Sequence, residues 1–111
     1  MTLIYNVVLI INSKSKLPRG QLAILGGQAT IKSYAQSSQL ERTKYFLNGQ
    51  MKVTLKAHDD EHLTQLQNEA EKMNLNCSAI KWDTDESFAV LAIGPNSVTM
   101  IDSITGSLKL A

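Results

Sequence analysis

The segment His58-Asp59-Asp60-Glu61-His62 is a literal H-x-x-E-H, the pattern in which two imidazoles hold zinc and the glutamate acts as general base. That chemistry needs the three side chains on one helix and a third ligand from elsewhere. Asp59 and Asp60 are good helix caps, so His58 falls before the helix, and the chain has no other histidine. The segment therefore reads as a solvated strand-to-helix turn, and no metal is expected. Asp83 ends an apolar strand beside an irregular acidic turn, a place where loop residues held by a rigid sheet often act, and it also suits a plain turn. Its neighbour Trp82 has the type to stack on a base or to fill a core or sheet edge. Cys77, the single cysteine, excludes an internal disulfide and lies in the apolar run NCSAIKW, as a buried strand thiol would. Walker and dinucleotide glycine patterns are absent, and no serine sits in a nucleophile elbow.

The elements that must position these residues start from Arg19–Tyr34, RGQLAILGGQATIKSY, a helix with Gly26 and Gly27 inside it. Each glycine costs about 1 kcal/mol against alanine there, so the pair implies close approach to a neighbouring sheet or ligand, or else a break in the helix. Before it, Leu3–Ile11 is a strand of nearly continuous apolar character, expected at the centre of its sheet and covered on both faces. Asn12–Arg19 is a basic loop ended by Leu17-Pro18. Ser37 and Ser38 separate off a second helix, Gln39–Leu47, with Leu40, Thr43 and Leu47 on one face; Asn48-Gly49 turns the chain.

Met51–Ala57 alternates with a period of two, a strand with one more exposed face. Leu63, Leu66, Ala70 and Met73 give a helix over Asp60–Met73. Cys77–Trp82 and Phe88–Ile93 then form an antiparallel hairpin, and Gly94-Pro95-Asn96 is a turn. A short helix with Val98, Ile101 and Ile104 inward closes at Gly106, and the tail Ser107–Ala111 docks on the body. The order β-α-α-β-α-β-β-α gives an α/β fold, a four-stranded mixed β-sheet with helices packed on both faces, as a single domain over 1–111.

An apolar fraction of 43% with 19% charged residues is that of an ordinary globular chain rather than a disordered one. No run approaches the roughly 20 apolar residues of a membrane helix, and MTLIYNVVLII lacks the basic start of a signal peptide, so a cytoplasmic protein without membrane association is expected. The net charge of +1 hides an asymmetry. Residues 1–56 carry eight basic residues against Glu41 alone, a net of +7, and residues 57–111 carry three against nine acids, a net of −6. If the first half forms one face, that face is a footprint for a polyanion; if the halves intermix, the fields cancel.

The apolar first strand, Gly20 and Ala23 with the following Ala29 and Tyr34, NGQMKVTLKAHDDEHL, and the ending AIGPNSVTMIDSITGSLKL together resemble the type-2 peptidyl-tRNA hydrolases, the archaeal and eukaryotic kind. The resemblance runs over nearly the whole chain. It implies a four-stranded mixed sheet between helices, a homodimer, and metal-free, cofactor-free hydrolysis of the ester joining a peptide to the terminal ribose of tRNA. Its site is implied to need a lysine, a glutamine and a histidine early in the first helix, an aspartate after the third strand, and threonines in the next loop. Only the aspartate carries over, as Asp83. Gln21 stands at the lysine, Leu25 at the glutamine and Gln28 at the histidine, and Thr84 is the one threonine of a shortened loop.

The catalytic set so implied is Asp83, Gln28, Gln21 and Thr84, with Arg19, Lys14, Lys16 and Lys32 as tRNA-binding cations. Looser resemblance links the chain to members of this superfamily that lack the histidine and lysine and show Leu-Pro before the helix. Two function classes follow: a peptidyl-tRNA hydrolase with an altered site, and a non-enzymatic tRNA- or protein-binding module on the same scaffold. A third reading makes the acidic second half a protein-docking face with no RNA bound.

Overall fold

The computed structural model describes residues 4–81 and 87–111. The described elements follow in the expected order: β1 (Tyr5–Asn12), α1 (Arg19–Gln36), α2 (Gln39–Leu47), β2 (Lys52–Ala57), α3 (Asp60–Lys72), β3 (Cys77–Lys81), β4 (Phe88–Ser97) and α4 (Val98–Thr105). The strands form one sheet in the order β2-β1-β4-β3. β1 runs parallel to β2 and antiparallel to β4, which is antiparallel to β3, so the sheet is mixed.

Side-chain alternation divides the core. Val8, Ile10, Leu55, Leu91 and Ile93 face α3 and α4, meeting Leu63, Leu66, Ala70, Ile101 and Ile104. Leu9, Ile80, Val90 and Ala92 face α1, meeting Leu22, Leu25 and Ala29. α1 packs mainly on β4 and β3. Leu9 and Ile11 of the central β1 are consequently only half-buried, a difference from the strand covered on both faces that the apolar run suggests. Lys52, Thr54 and Lys56 of edge strand β2 are exposed, as the period of two requires.

α1 continues unbroken through its glycine pair. A Cβ on buried Gly26 would meet Leu9 Cδ1 at 3.4 Å, whereas one on Gly27 would find nothing within 4 Å. Gly26 is thus the residue of close approach, and Gly27 lies over open space.

α2 corrects one expectation. Its Leu40 and Leu47 are 63% and 77% exposed and Thr43 is exposed too, while Tyr45 is its buried residue. Polar ties, not an apolar stripe, seat this helix. Ser38 and Glu41 form a capping box, with Ser38 N–H donating to Glu41 Oε1 at 2.8 Å and Glu41 N–H to Ser38 Oγ at 3.1 Å. The same carboxylate accepts from Asn76 Nδ2 and from Asn96 Nδ2, each at 3.0 Å. Burial pushes the Glu41 carboxyl up, but the bonds from Ser38, Asn76 and Asn96 outweigh it and hold it below its ordinary value.

Glu41→Ala strands those donors and is expected to cost about 2 kcal/mol in urea unfolding. The carboxylate's contribution is full above the unfolded-state value near 4.3 and is lost as pH falls through the lower folded one. Wild type and variant should therefore converge in strong acid; a gap under about 0.5 kcal/mol at pH 7 would mean that the ties are slack.

β4 corrects another. Gly94-Pro95-Asn96 is not a turn: the strand runs on to Ser97, pairing Asn96 with Asn6 and Ser97 with Tyr5 across a bulge between Asn6 and Val8. Gly94, at φ +116°, accommodates that bulge. α3 starts as expected, Asp59 Oδ1 accepting from His62 N–H at 2.9 Å, and Ser97 caps α4. The tail docks by backbone: Lys56 N–H donates to the Lys109 carbonyl at 3.0 Å and Ala111 N–H to that of Thr54 at 3.1 Å, while Leu110 remains 71% exposed. No helix among the described residues is long and apolar enough to cross a membrane.

Candidate functional site

β1, β2 and β3 run parallel to one another, so their C-terminal ends gather at one end of the sheet with the start of β4 and the N-termini of α1 and α3. In open α/β sheets this is the end where ligands bind. Asn12, 2% exposed, ties it together: its Nδ2 donates to the Phe88 carbonyl at 2.8 Å and its Oδ1 accepts from Lys14 N–H at 2.9 Å. Asp60 Oδ1 accepts from Phe88 N–H at 2.6 Å. A polar cleft of about 600 Å³ results, lined by Lys14, Lys16, Asp59, Asp60 and Ser87 among others. Sequence reading treats Asn12 as a loop residue and Asp60 as a helix cap; Asn12 ends the apolar β1, whereas Asp60 opens α3, and neither position by itself signals its tie to Phe88.

The expected site residues fall into three places. Lys14 and Lys16 stand on the lip of the cleft. Gln21, Leu25, Gln28 and Lys32, spaced 4, 3 and 4, form one stripe along α1. Gln21 is half-buried, Gln28 and Lys32 are exposed, and Leu25 packs into the cluster that holds Ile80 of β3, so the stripe is the β3 flank of the helix. Arg19, exposed at the start of α1, is not on this stripe: it lines the cavity on the other flank of the helix with Ala23 and Gly27. Asp83 and Thr84, with Trp82 and the rest of the acidic turn, lie outside the described residues. The stripe offers amides, which donate and accept hydrogen bonds but do not exchange protons near neutral pH.

A second cavity of about 600 Å³ occupies the other flank of α1, between Ala23, Gly27 and Ile31 and the uncovered sheet at Leu9, Ile11 and Thr54. It is apolar, and it faces away from Gln21 and Gln28.

Cys77 is 7% exposed, and burial, with a smaller push from Glu71, raises its thiol to about 11, as befits a buried strand residue rather than a nucleophile. The imidazoles of His58 and His62 stack, centroids 5.0 Å apart, and His58 N–H donates to His62 Nδ1 at 3.0 Å. No group of three potential metal ligands occurs among the described residues. α1 carries Arg19 and Lys32 and no acid, whereas α3 and α4 opposite carry Asp60, Glu61, Glu69, Glu71 and Asp102 against Lys72; at the cleft the two signs meet, Lys14 and Lys16 beside Asp59 and Asp60.

The family described as "Peptidyl-tRNA hydrolase PTH2" matches residues 5–111. The chain belongs to this peptidyl-tRNA hydrolase 2 family. It is 33% identical over 96% of its length to "Peptidyl-tRNA hydrolase 2, mitochondrial" of Mus musculus, of which the match covers 63%. It is 34% identical to "Peptidyl-tRNA hydrolase" of Thermococcus sibiricus, over 96% of this chain and 97% of that protein. The corresponding protein of Methanocaldococcus jannaschii is 28% identical over 94% of this chain and 97% of its own length. The chain thus spans less than two thirds of the mouse relative and nearly all of the archaeal ones. Within the peptidyl-tRNA hydrolase 2 family this member keeps the implied sheet and helix order, and its α1 stripe carries glutamine, leucine and glutamine.

Proposed function

We propose that this protein binds peptidyl-tRNA at the C-terminal ends of β1 and β3 and slowly hydrolyses its ester. The observation that carries the reading is that Lys14 and Lys16 line the cleft at the sheet end where α1 begins with no acid in its length; Arg19, at that beginning, lines the apolar cavity on the other flank. Lys14, Lys16, Arg19 and Lys32 take phosphates of the tRNA, and Gln21 and Gln28 hold the ester carbonyl by their amides. Asp83, aided by Thr84, orients a water and accepts its proton. The oxygen adds to the carbonyl carbon, the bond to the ribose oxygen breaks, and that oxygen leaves with a proton.

With no imidazole on the stripe, turnover should fall about 10²- to 10⁴-fold below that of a relative with a histidine at position 28. The test is single-turnover hydrolysis of an N-blocked aminoacyl-tRNA. Measurable cleavage that Asp83→Ala lowers about 100-fold, with tRNA affinity unchanged and weakening as salt rises, is the expected result. Binding without cleavage above buffer would instead establish a binding module. The burial of Leu25 against Ile80, where the family's glutamine belongs, is the observation that favours this second reading.

A further inference from the structure

The tail and β2 bring together residues that the strand-end site does not use. The bridge of Leu55 to Leu110, antiparallel, sets Lys56 opposite Lys109 on the same side of the sheet. Directly opposed like charges destabilise a strand pair. Both lysines line a cavity of about 330 Å³ with Ser13, His58, His62, Ser107 and Leu108, and no acid is among its lining residues. Asp59, Asp60 and Glu61 are the nearest acids in sequence; the Asp59 carboxylate caps α3, that of Asp60 accepts from Phe88 N–H, and Glu61 is exposed, all three outside the lining. Because His62 Nδ1 accepts from His58 N–H, the neutral ring carries its proton on Nε2, which is then a donor. Two lysines, two serines and two histidines thus line one cavity with no carboxylate among its lining residues.

We propose that this cavity binds a phosphate dianion, free or as the monoester of a small molecule. Lys56 and Lys109 supply the charge, Ser13 and Ser107 hydroxyls and His62 Nε2–H donate to its oxygens, and Leu108 walls the space left for an ester group. A doubly charged ligand between the lysines would turn their repulsion into attraction. The site is separate from the Lys14 and Lys16 cleft and requires no hydrolysis.

The experiment is NMR titration of the His58 and His62 ring signals with inorganic phosphate and, separately, ribose 5-phosphate, against sodium chloride at matched ionic strength. Saturable shifts in these signals are expected, with Lys56→Gln or Lys109→Gln weakening the binding about tenfold or more. Binding by inorganic phosphate alone assigns the free ion, and binding by both assigns the phosphate group. Both lysines are exposed and the bond between their segments is backbone, so the variants should fold. Thermal unfolding gives an independent readout: phosphate should raise the midpoint of the wild type but not of the double variant. Shifts that do not saturate, that sodium chloride reproduces, or that the double variant retains would overturn the site.

Discussion

Gln28→His is expected to raise single-turnover ester hydrolysis by about 100-fold or more, the low end of what a positioned general base supplies. Position 28 is exposed on the β3 flank of α1, so the imidazole replaces an amide without disturbing the core. An introduced histidine with an ordinary value near 6.5 should give a rate that climbs with pH through that value and then levels, a dependence absent from the parent. Adding Gln21→Lys should raise the rate again by stabilising charge that develops on the ester oxygen. Leu25→Gln is a poor third step, because it would bury an amide beside Ile80 and Val90. No gain from the double variant, with tRNA affinity intact, would place the ester away from this stripe.

Gly94→Ala should destabilise the fold by about 3 kcal/mol or more, the largest stability effect expected of a single methyl group in this chain. At φ +116° the backbone is in a region that L side chains rarely adopt. The added Cβ would collide with the Asn6 carbonyl oxygen and lie 3.1 Å from Val7 Cα and 3.3 Å from the Asn96 nitrogen, all backbone atoms of the same bulge. Gly94 N–H also donates to the Asn76 carbonyl at 2.7 Å and its carbonyl accepts from Ser33 Oγ, so the segment is held from two sides and has little room to yield. Chemical denaturation measures the cost; a loss within 1 kcal/mol would show that the bulge relaxes.

The same segment marks the limit of what the chain discloses in sequence. Gly94-Pro95 is locally a turn signal. Only its pairing with Asn6 and Tyr5, at the other end of the chain, makes it strand. α3, by contrast, is legible throughout, because its Asp59 cap and the spacing of Leu63, Leu66 and Ala70 are local and agree with its packing. α2 misleads for the opposite reason: Leu40 and Leu47 have core spacing, yet Glu41 and Tyr45 hold the helix. At the site, only the family resemblance singles out Gln21, Leu25 and Gln28; their spacing on α1 then places them on one stripe. The Asn12 and Asp60 ties to Phe88, like the meeting of Lys56 with Lys109, depend on which strands lie side by side, and no local pattern encodes that.

The docked tail bears on how this molecule behaves among its own copies. β2 is an edge, and an unpaired strand edge is a template on which another chain can add a strand and begin aggregation. Lys109 and Ala111 occupy the outward backbone groups of Lys56 and Thr54, and the exposed Lys52, Lys56 and Lys109 add charge along the same border. The C-terminal residues thus act as a selvedge, finishing the sheet where a foreign strand would otherwise be stitched on.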